Sequence, residues 1–471
     1  MQFPFAPNAT PNETGKDNER NLRQENDLRR AQVLSGAGSG PRPFPVIPSP
    51  APSTSGLWQI SRLLLFVALF GAPLAFGAVV PWAWMSLGVV ASLALFLWGV
   101  GSILQGELKV IWSPLYIPLA IFFLLGVAQY AARMTLDTSE TRQALVLLIT
   151  DLVFFFLAVQ HFGGGRSNIL LPFGLVVLVF IGGLGLFAIL QSASGAQKIY
   201  GIVDTPGGVL FGPYVDRDHF AGLMEMLLPV AVFYIAGRHG RLTLEASMWR
   251  VCVVAVGLAS LLLAGSRGGL LALAVEIAIA SLVLRRAAAR IGQRRRLATA
   301  AALASVAGVM LFAYVDPGWA AKKLGSVAYV DRTWTDWSGV RKRMASDALH
   351  MWRDHLLLGV GLGDFETAYP QYQSYPSDTW VDHAHNDYVE AGAETGLVGA
   401  VTILAAITLF LGLAFRDWRN PFRSHAGWIR LGAAIGCCGM LVHSLGDFNL
   451  HIPANAAWFA VLAGIAAGKS D

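Results

Sequence analysis

Apolar runs long enough to cross a lipid bilayer recur along this chain from about Leu63 almost to its end. A hydrocarbon core of about 30 Å takes about 20 mostly apolar residues to cross as a helix. Lipid offers no partners to backbone N–H and C=O groups, so each crossing segment must close its own hydrogen bonds. Runs near 63–79, 82–103, 112–130, 143–160, 168–190, 219–236, 248–264, 269–284, 297–315, 396–415, 427–447 and 453–468 predict an all-α integral membrane protein of about 12 transmembrane helices. Composition agrees, with 14% of residues charged against about 25% in soluble domains.

The net charge of +5 does not call for a nucleic-acid partner, because topology explains where the basic residues fall. Lys and Arg in short loops favour the cytoplasm. With the N-terminus inside, the even-numbered connections carry Lys109, Arg166, Arg238 and Arg241, then Arg285, Arg286, Arg290, Arg294, Arg295 and Arg296, then Arg416, Arg419 and Arg423, with Lys469 last. The opposite face then receives a loop around 191–218, the turn Gly265–Gly269, a long loop over 316–395 and a turn near Asp447.

Four parts are expected. Residues 1–56 are polar and then proline-rich (PRPFPVIPSPAPS from Pro41), too poor in apolar surface to fold alone, and predict a disordered cytoplasmic tail. Residues 57–315 hold helices one to nine, 316–395 the long outer loop, and 396–471 helices ten to twelve. The first apolar run starts too late and is too long for a signal-peptide h-region, so no signal peptide is expected. Cys252, Cys437 and Cys438 all sit in apolar runs, a pattern of small packed hydrophobes with neither a disulfide framework nor zinc spacing.

A connection of roughly 80 residues exceeds ordinary loop lengths and is usually functional. Within it Val340, Met344, Ala348, Trp352 and Leu356 repeat every fourth residue, one apolar stripe on a helix. Arg341, Lys342, Arg343, Asp347 and Arg353 occupy its other faces. Trp334, Trp337, Tyr369, Tyr372, Tyr375 and Trp380 suit the headgroup zone, where aromatic rings collect.

Four polar clusters fall on the outer face. The densest, DHAHNDYVEAGAETGLVG from Asp382, holds His383, His385, Asp387, Glu390 and Glu394, with Gly392, Gly396 and Gly399 positioned to admit a neighbouring helix. It fits an interfacial helix cap, or a metal site of His-x-His with carboxylates, or a histidine general base with a pKa near neutrality. No third ligand appears at a recognisable spacing, so no metal is expected.

The second is GSRGG, where Arg267 either snorkels into headgroups or offers its fork of donors to a phosphate. In GPYVDRDHFAG, Asp216, Arg217, Asp218 and His219 enter the sixth helix, with Asp218 a candidate cap. In HSLGDFNLHIPAN, His443 and Asp447 stand one helical turn apart and can satisfy each other. Nucleotide-driven chemistry is not expected. GIAAGKS is one residue short of a P-loop and follows no strand, and GVGLG lacks a third glycine.

Together these motifs resemble the O-antigen ligase and polymerase family, membrane glycosyltransferases acting on glycans carried by undecaprenyl diphosphate. The resemblance rests on His385-Asn386, nine residues, then Gly396-Leu397-Val398-Gly399; on Ser266-Arg267-Gly268; on VDRDHFAG; on an arginine-bearing amphipathic helix before LLGVGLGDF; and on DFNLHIPAN. It covers roughly residues 60–468. It implies a fold of the membrane glycosyltransferase C type, a large periplasmic loop and an active site at the periplasmic face of the inner membrane. It implies His385 as the catalytic base, and Arg267 and Arg341 on the diphosphate, with Arg343 as the alternative to Arg341 and Arg217 assisting. Asn386, Asp387, Glu394 and Asp447 are expected in supporting places. The chain departs from commoner forms in its Asp216-Arg217-Asp218, which adds negative charge near the diphosphate, and in Leu356 before LLGVG.

The implied reaction is an inverting transfer without cofactor or metal, from the lipid-linked donor to a hydroxyl of lipid A–core or another glycan. Membrane lipids are a further expected partner, and nucleic acid is not. A polymerase shares the donor chemistry and differs only in acceptor, and transfer to protein hydroxyls is a further option. A transporter of lipid-linked glycans would keep ionisable groups near the midplane. Asp151, Glu225 and Glu276 are few for that purpose, the charged chemistry sits on one face, and the halves show no repeat.

Overall fold

The computed structural model describes residues 56–106, 108–163, 169–204, 209–238, 243–288, 332–377, 380–416 and 424–468. The side chains of 244, 285–288 and 332–339 are not among them. The helices longer than four residues are, in order, α1 Gly56–Leu74, α2 Pro81–Leu104, α3 Tyr116–Ala131, α4 Thr138–Phe162, α5 Leu170–Ala193, α6 Arg217–Gly237, α7 Leu244–Ala264, α8 Arg267–Ala288, α9 Arg332–Asp354, α10 Asp387–Ala414, α11 His425–His443 and α12 Pro453–Ala467. A two-stranded antiparallel ribbon, Lys198–Ile199 with Val203–Asp204, lies in the loop before α6.

Among the described residues nine helices are long and apolar enough to cross a membrane, while α3 and α12 are shorter apolar helices. The protein is therefore an all-α, multi-pass membrane protein. Eleven of the expected runs thus coincide with α1–α8 and α10–α12. The run at 297–315 and the tail 1–56 lie outside the described residues, apart from Gly56.

The centre of the bundle is α6 against α11, each with 78% of its apolar window buried. Hydrophobicity on every face is what a helix needs in that position. Small residues let the two backbones meet. A Cβ added at Gly432 would come within 2.7 Å of the Pro229 carbonyl oxygen, and one at Gly436 would collide with that of Met226. Around this pair, α12 packs on α4, α7 on α5 and α8 on α11. Buried Arg430 closes the end remote from His443, donating from Nη1 to the Ile465 carbonyl (2.8 Å) and from Nη2 to that of Phe162 (2.7 Å). Both carbonyls lie in the last turn of a helix, where intrahelical partners run out.

The segment from α9 to α10 is a folded cap with a core of its own. Met344, Ala348 and Met351 of α9 bury against Val360, Phe365, Tyr369, Val381, Ala384 and Ala393. The expected stripe holds through Val340 and Trp352, but α9 stops at Asp354, and Leu356 lies beyond it, exposed. Tyr369 and Tyr375 are buried with Asp347, which accepts the Tyr369 hydroxyl at 3.1 Å, instead of lying at the interface; Trp380 is exposed. Trp334 and Trp337 lie outside the described side chains.

Two crossings fix the cap to the bundle. Gln129 donates to the carbonyls of Leu358 (2.6 Å) and Glu394 (2.9 Å), and Asp364 accepts from the backbone N–H groups of Leu136 (2.6 Å) and Asp137 (3.0 Å). Where the chain passes Leu357, α10 breaks at Gly396, whose φ of 65° places it in the left-handed region. A Cβ there would strike the Leu357 backbone. The tenth run therefore begins as a short helix from Asp387, inside the stretch 316–395 expected to be loop, and turns into its spanning part at the glycine.

Candidate functional site

The N-termini of α6, α8, α10 and α12 and the C-terminus of α11 converge at the end of the bundle under the cap. Helix N-termini leave unpaired N–H groups and a partial positive charge, so this end favours anions.

His385 precedes α10. Its backbone has φ of 50°, an uncommon conformation for a non-glycine residue that is often held at functional sites. Asn386 fixes it by capping α10. The Asn386 Oδ1 accepts from the N–H groups of Tyr388 and Val389 (both 3.1 Å), and its Nδ2 donates to the Leu445 carbonyl (2.9 Å).

The Nδ1 of His385 is 3.1 Å from Asp447 Oδ1. Nδ1–H therefore donates to the carboxylate and Nε2 keeps a free lone pair, the tautomer a general base needs. Asp447 is buried, which by itself raises a carboxyl pKa. The His385 hydrogen bond and the charges of His219, His443 and Arg341 outweigh that and hold it well below the usual carboxylate range.

Helix α11 ends at His443, and the turn that follows carries Asp447 away from it. Their separation is 3.8 Å, while His443 Nδ1 lies 3.0 Å from Glu225 of α6. His443 and Asp447 do face each other as expected, but each has a closer partner: Asp447 meets His385 at 3.1 Å, and His443 meets Glu225. Gly268 makes room for this pair, since a Cβ there would overlap the His443 ring. The SRG turn is thus packed directly on the histidine.

Arg267 opens α8, and the charges that reach it are those of Arg217, Asp218 and Arg341. Arg341 lies 3.4 Å from Asp218 through Nη2 and donates from Nη1 to the Gly446 carbonyl at 3.2 Å. Arg267, Arg217 and Arg341 are thus within electrostatic reach of one another, with Asp218 paired to Arg341. Arg343, two residues on, projects from the exposed side of α9. The cap of α6 is Asp216, accepting from the Asp218 N–H at 2.7 Å, and not Asp218. Burial raises the Asp216 pKa and the Asp218 charge adds to the rise.

Asp387 and Glu394 hold the frame. Asp387 Oδ1 is 2.8 Å from His451 Nδ1, and Glu394 Oε1 accepts the Phe365 N–H at 3.1 Å. His383 and His451 share Glu390, at 2.7 and 3.4 Å from its Oε1. Burial opposes charge on both rings, but Glu390 outweighs it. The His383 pKa is raised, and that of His451, which also has Asp387, stands at about 10.

A histidine–carboxylate pair, with Asp447 buried and His385 partly so, thus shares one end of the bundle with Arg341 and Arg267. Residues 252–404 match the O-Antigen ligase family model. That match supports the O-antigen ligase family for this chain, and with it a membrane enzyme with a ligase activity of the glycosyltransferase kind. The matched region holds Arg267, Arg341 and His385; Arg217, Glu225, His443, Asp447 and His451 join them from outside it. No curated protein matches the chain.

Sequence reasoning missed Glu225 and His451 as site neighbours. Glu225 reads as an isolated intramembrane acid, and such a residue is by default a functional hypothesis, so that signal was present. His451 sits in DFNLHIPAN and carries no local signal of its own.

Proposed function

We propose that this protein moves a glycan from undecaprenyl diphosphate to an acceptor hydroxyl, of lipid A–core or a similar glycan, at the periplasmic face of the inner membrane. The observation that carries the reading is His385, fixed by Asp447, beside Arg267, Arg217 and Arg341. Orientation is supported by the basic residues Lys109, Arg238 and Arg416 at the other ends of the helices. On this reading 316–395 is a periplasmic loop, 1–56 a cytoplasmic tail, and the fold is of the membrane glycosyltransferase C type.

The chemistry is a single displacement. His385 Nε2 takes the acceptor hydroxyl's proton as that oxygen attacks the anomeric carbon. The bond from that carbon to the diphosphate oxygen breaks, and the diphosphate leaves with the electron pair on the face opposite attack, which inverts the anomeric centre. Arg267 and Arg341, assisted by Arg217, neutralise the charge that develops. Preorganised donors of this kind are each worth about 2.7–4 kcal/mol when removed. The activated donor supplies the driving force, so the transfer itself calls for neither nucleotide nor metal.

The test is reconstitution of the purified protein with undecaprenyl diphosphate glycan and separate candidate acceptors, followed by product mass. A lipid A–core product supports the ligase, an extended lipid-linked glycan the polymerase. Translocation with no new glycosidic bond would replace both by a transporter. His385→Ala should abolish transfer and still reach the membrane; normal turnover in that variant would remove the base.

A further inference from the structure

Behind the His385–Asp447 pair, three potential ligand atoms meet from parts of the chain that local spacing cannot connect. Those of His383, Glu390 and His451 all lie within 4.8 Å of one another. His383 comes from the segment before α10, Glu390 from the first turn of α10, and His451 from the turn before α12.

The second layer is organised around them. His451 Nδ1 is 2.8 Å from Asp387 Oδ1, which in turn accepts through Oδ2 from the Leu450 N–H (3.3 Å). Asp387 therefore accepts from Nδ1–H and leaves Nε2 aimed at Glu390 Oε1, 3.4 Å away. The other Glu390 oxygen accepts the Ala384 N–H at 2.7 Å, which fixes the carboxylate plane. The His383 ring stacks on Phe448 with centroids 4.3 Å apart. A carboxylate bonded to the far nitrogen of a ligating histidine is the usual outer shell of a metal site.

Charge completes the case. Glu390, fully buried between two imidazoles, and Asp387 beside it present two carboxylates that need about two positive charges. One divalent cation supplies them at a single point. Two nitrogens and one carboxylate oxygen suit zinc-like ions over magnesium or calcium. Ligand bonds of about 2.0–2.2 Å in a tetrahedron put ligand atoms about 3.3 Å apart; the two spacings to Glu390 here, 2.7 and 3.4 Å, bracket that figure.

We propose that His383, Glu390 and His451 bind one divalent transition-metal ion of the zinc class, oriented by Asp387. The ion ties the segment carrying His385 to α10 and to the turn before α12. It sits behind the base and not at the diphosphate, and binding releases protons from the imidazoles.

The test does not depend on transfer activity. Tag-free full-length protein is stripped with chelator, reconstituted in nanodiscs and titrated with Co²⁺. One equivalent should bind with the visible bands of tetrahedral cobalt, be displaced by Zn²⁺ and not by Mg²⁺, and release protons. Glu390→Gln and His451→Gln should each weaken uptake at least tenfold, and His385→Ala should leave it unchanged. Wild-type protein that takes up no stoichiometric Co²⁺ or Zn²⁺ would overturn the proposal and leave a proton-held cluster. Undiminished binding in both ligand variants would do the same. Should those variants fail to accumulate, zinc X-ray absorption of the wild type decides: a nitrogen and oxygen shell supports the site, and a sulfur shell assigns the ion to the cysteines.

Discussion

Replacing Asp447 by asparagine isolates what its charge does. The side chain keeps its shape, and an oxygen can still accept from His385 Nδ1, now at 3.1 Å from the carboxylate. Lost is the negative charge facing the imidazolium formed when the acceptor proton is taken. Two unit charges 4 Å apart interact by about 4 kcal/mol at an effective dielectric of about 20. Asp447 is 3% exposed and His385 18%, and Arg341 and His443 share the carboxylate, so about 2–4 kcal/mol of transition-state stabilisation is at stake. That is about 30- to 1,000-fold in turnover. Single-turnover transfer in proteoliposomes should show the loss in kcat, with KM little changed.

The same carboxylate predicts an acid limb of stability. Its folded pKa is depressed below the unfolded value of about 3.9, so its stabilisation is fully present above that value and is lost as pH falls towards the folded one. Thermal melts below about pH 4 should therefore be less acid-sensitive in Asp447→Asn than in the wild type. A variant turning over within threefold of wild type would refute the argument, because the His385–Asp447 pair would then be only structural.

Arg267→Lys should lose about 100-fold or more in turnover, since a point charge replaces the planar fork; full activity would favour simple snorkelling. Arg341→Ala should be severely impaired while Arg343→Ala stays within a few-fold in the same assay, because only Arg341 contacts Asp218 and the Gly446 carbonyl. Gly396→Ala should lower thermal stability by about 1–3 kcal/mol or more, as its Cβ meets backbone and its φ suits glycine; an unchanged melting temperature would count against the crossing with Leu357.

How far the sequence was legible depends on the reach of each interaction. Helix α6 shows its apolar run and its capping aspartate directly, but which of Asp216 and Asp218 caps was decided by the turn before it. The α9 stripe predicted a buried face and gave no sign that Tyr369 and Tyr375 would join it. The choice of Arg341 over Arg343 could not be made from spacing alone. It follows from which side of α9 the cap core buries.

A segment in lipid must satisfy its own backbone, so the apolar runs alone determined that this chain forms spanning helices and that its charged motifs gather at their ends. Those forces act within one helix and are written locally. Partner choice is different. His385 meets Asp447 across 62 positions, His451 meets Asp387 across 64, and His443 meets Glu225 across 218. Each pairing depends on where a helix stops and how closely its glycines let a neighbour approach. Only the packed bundle settles that.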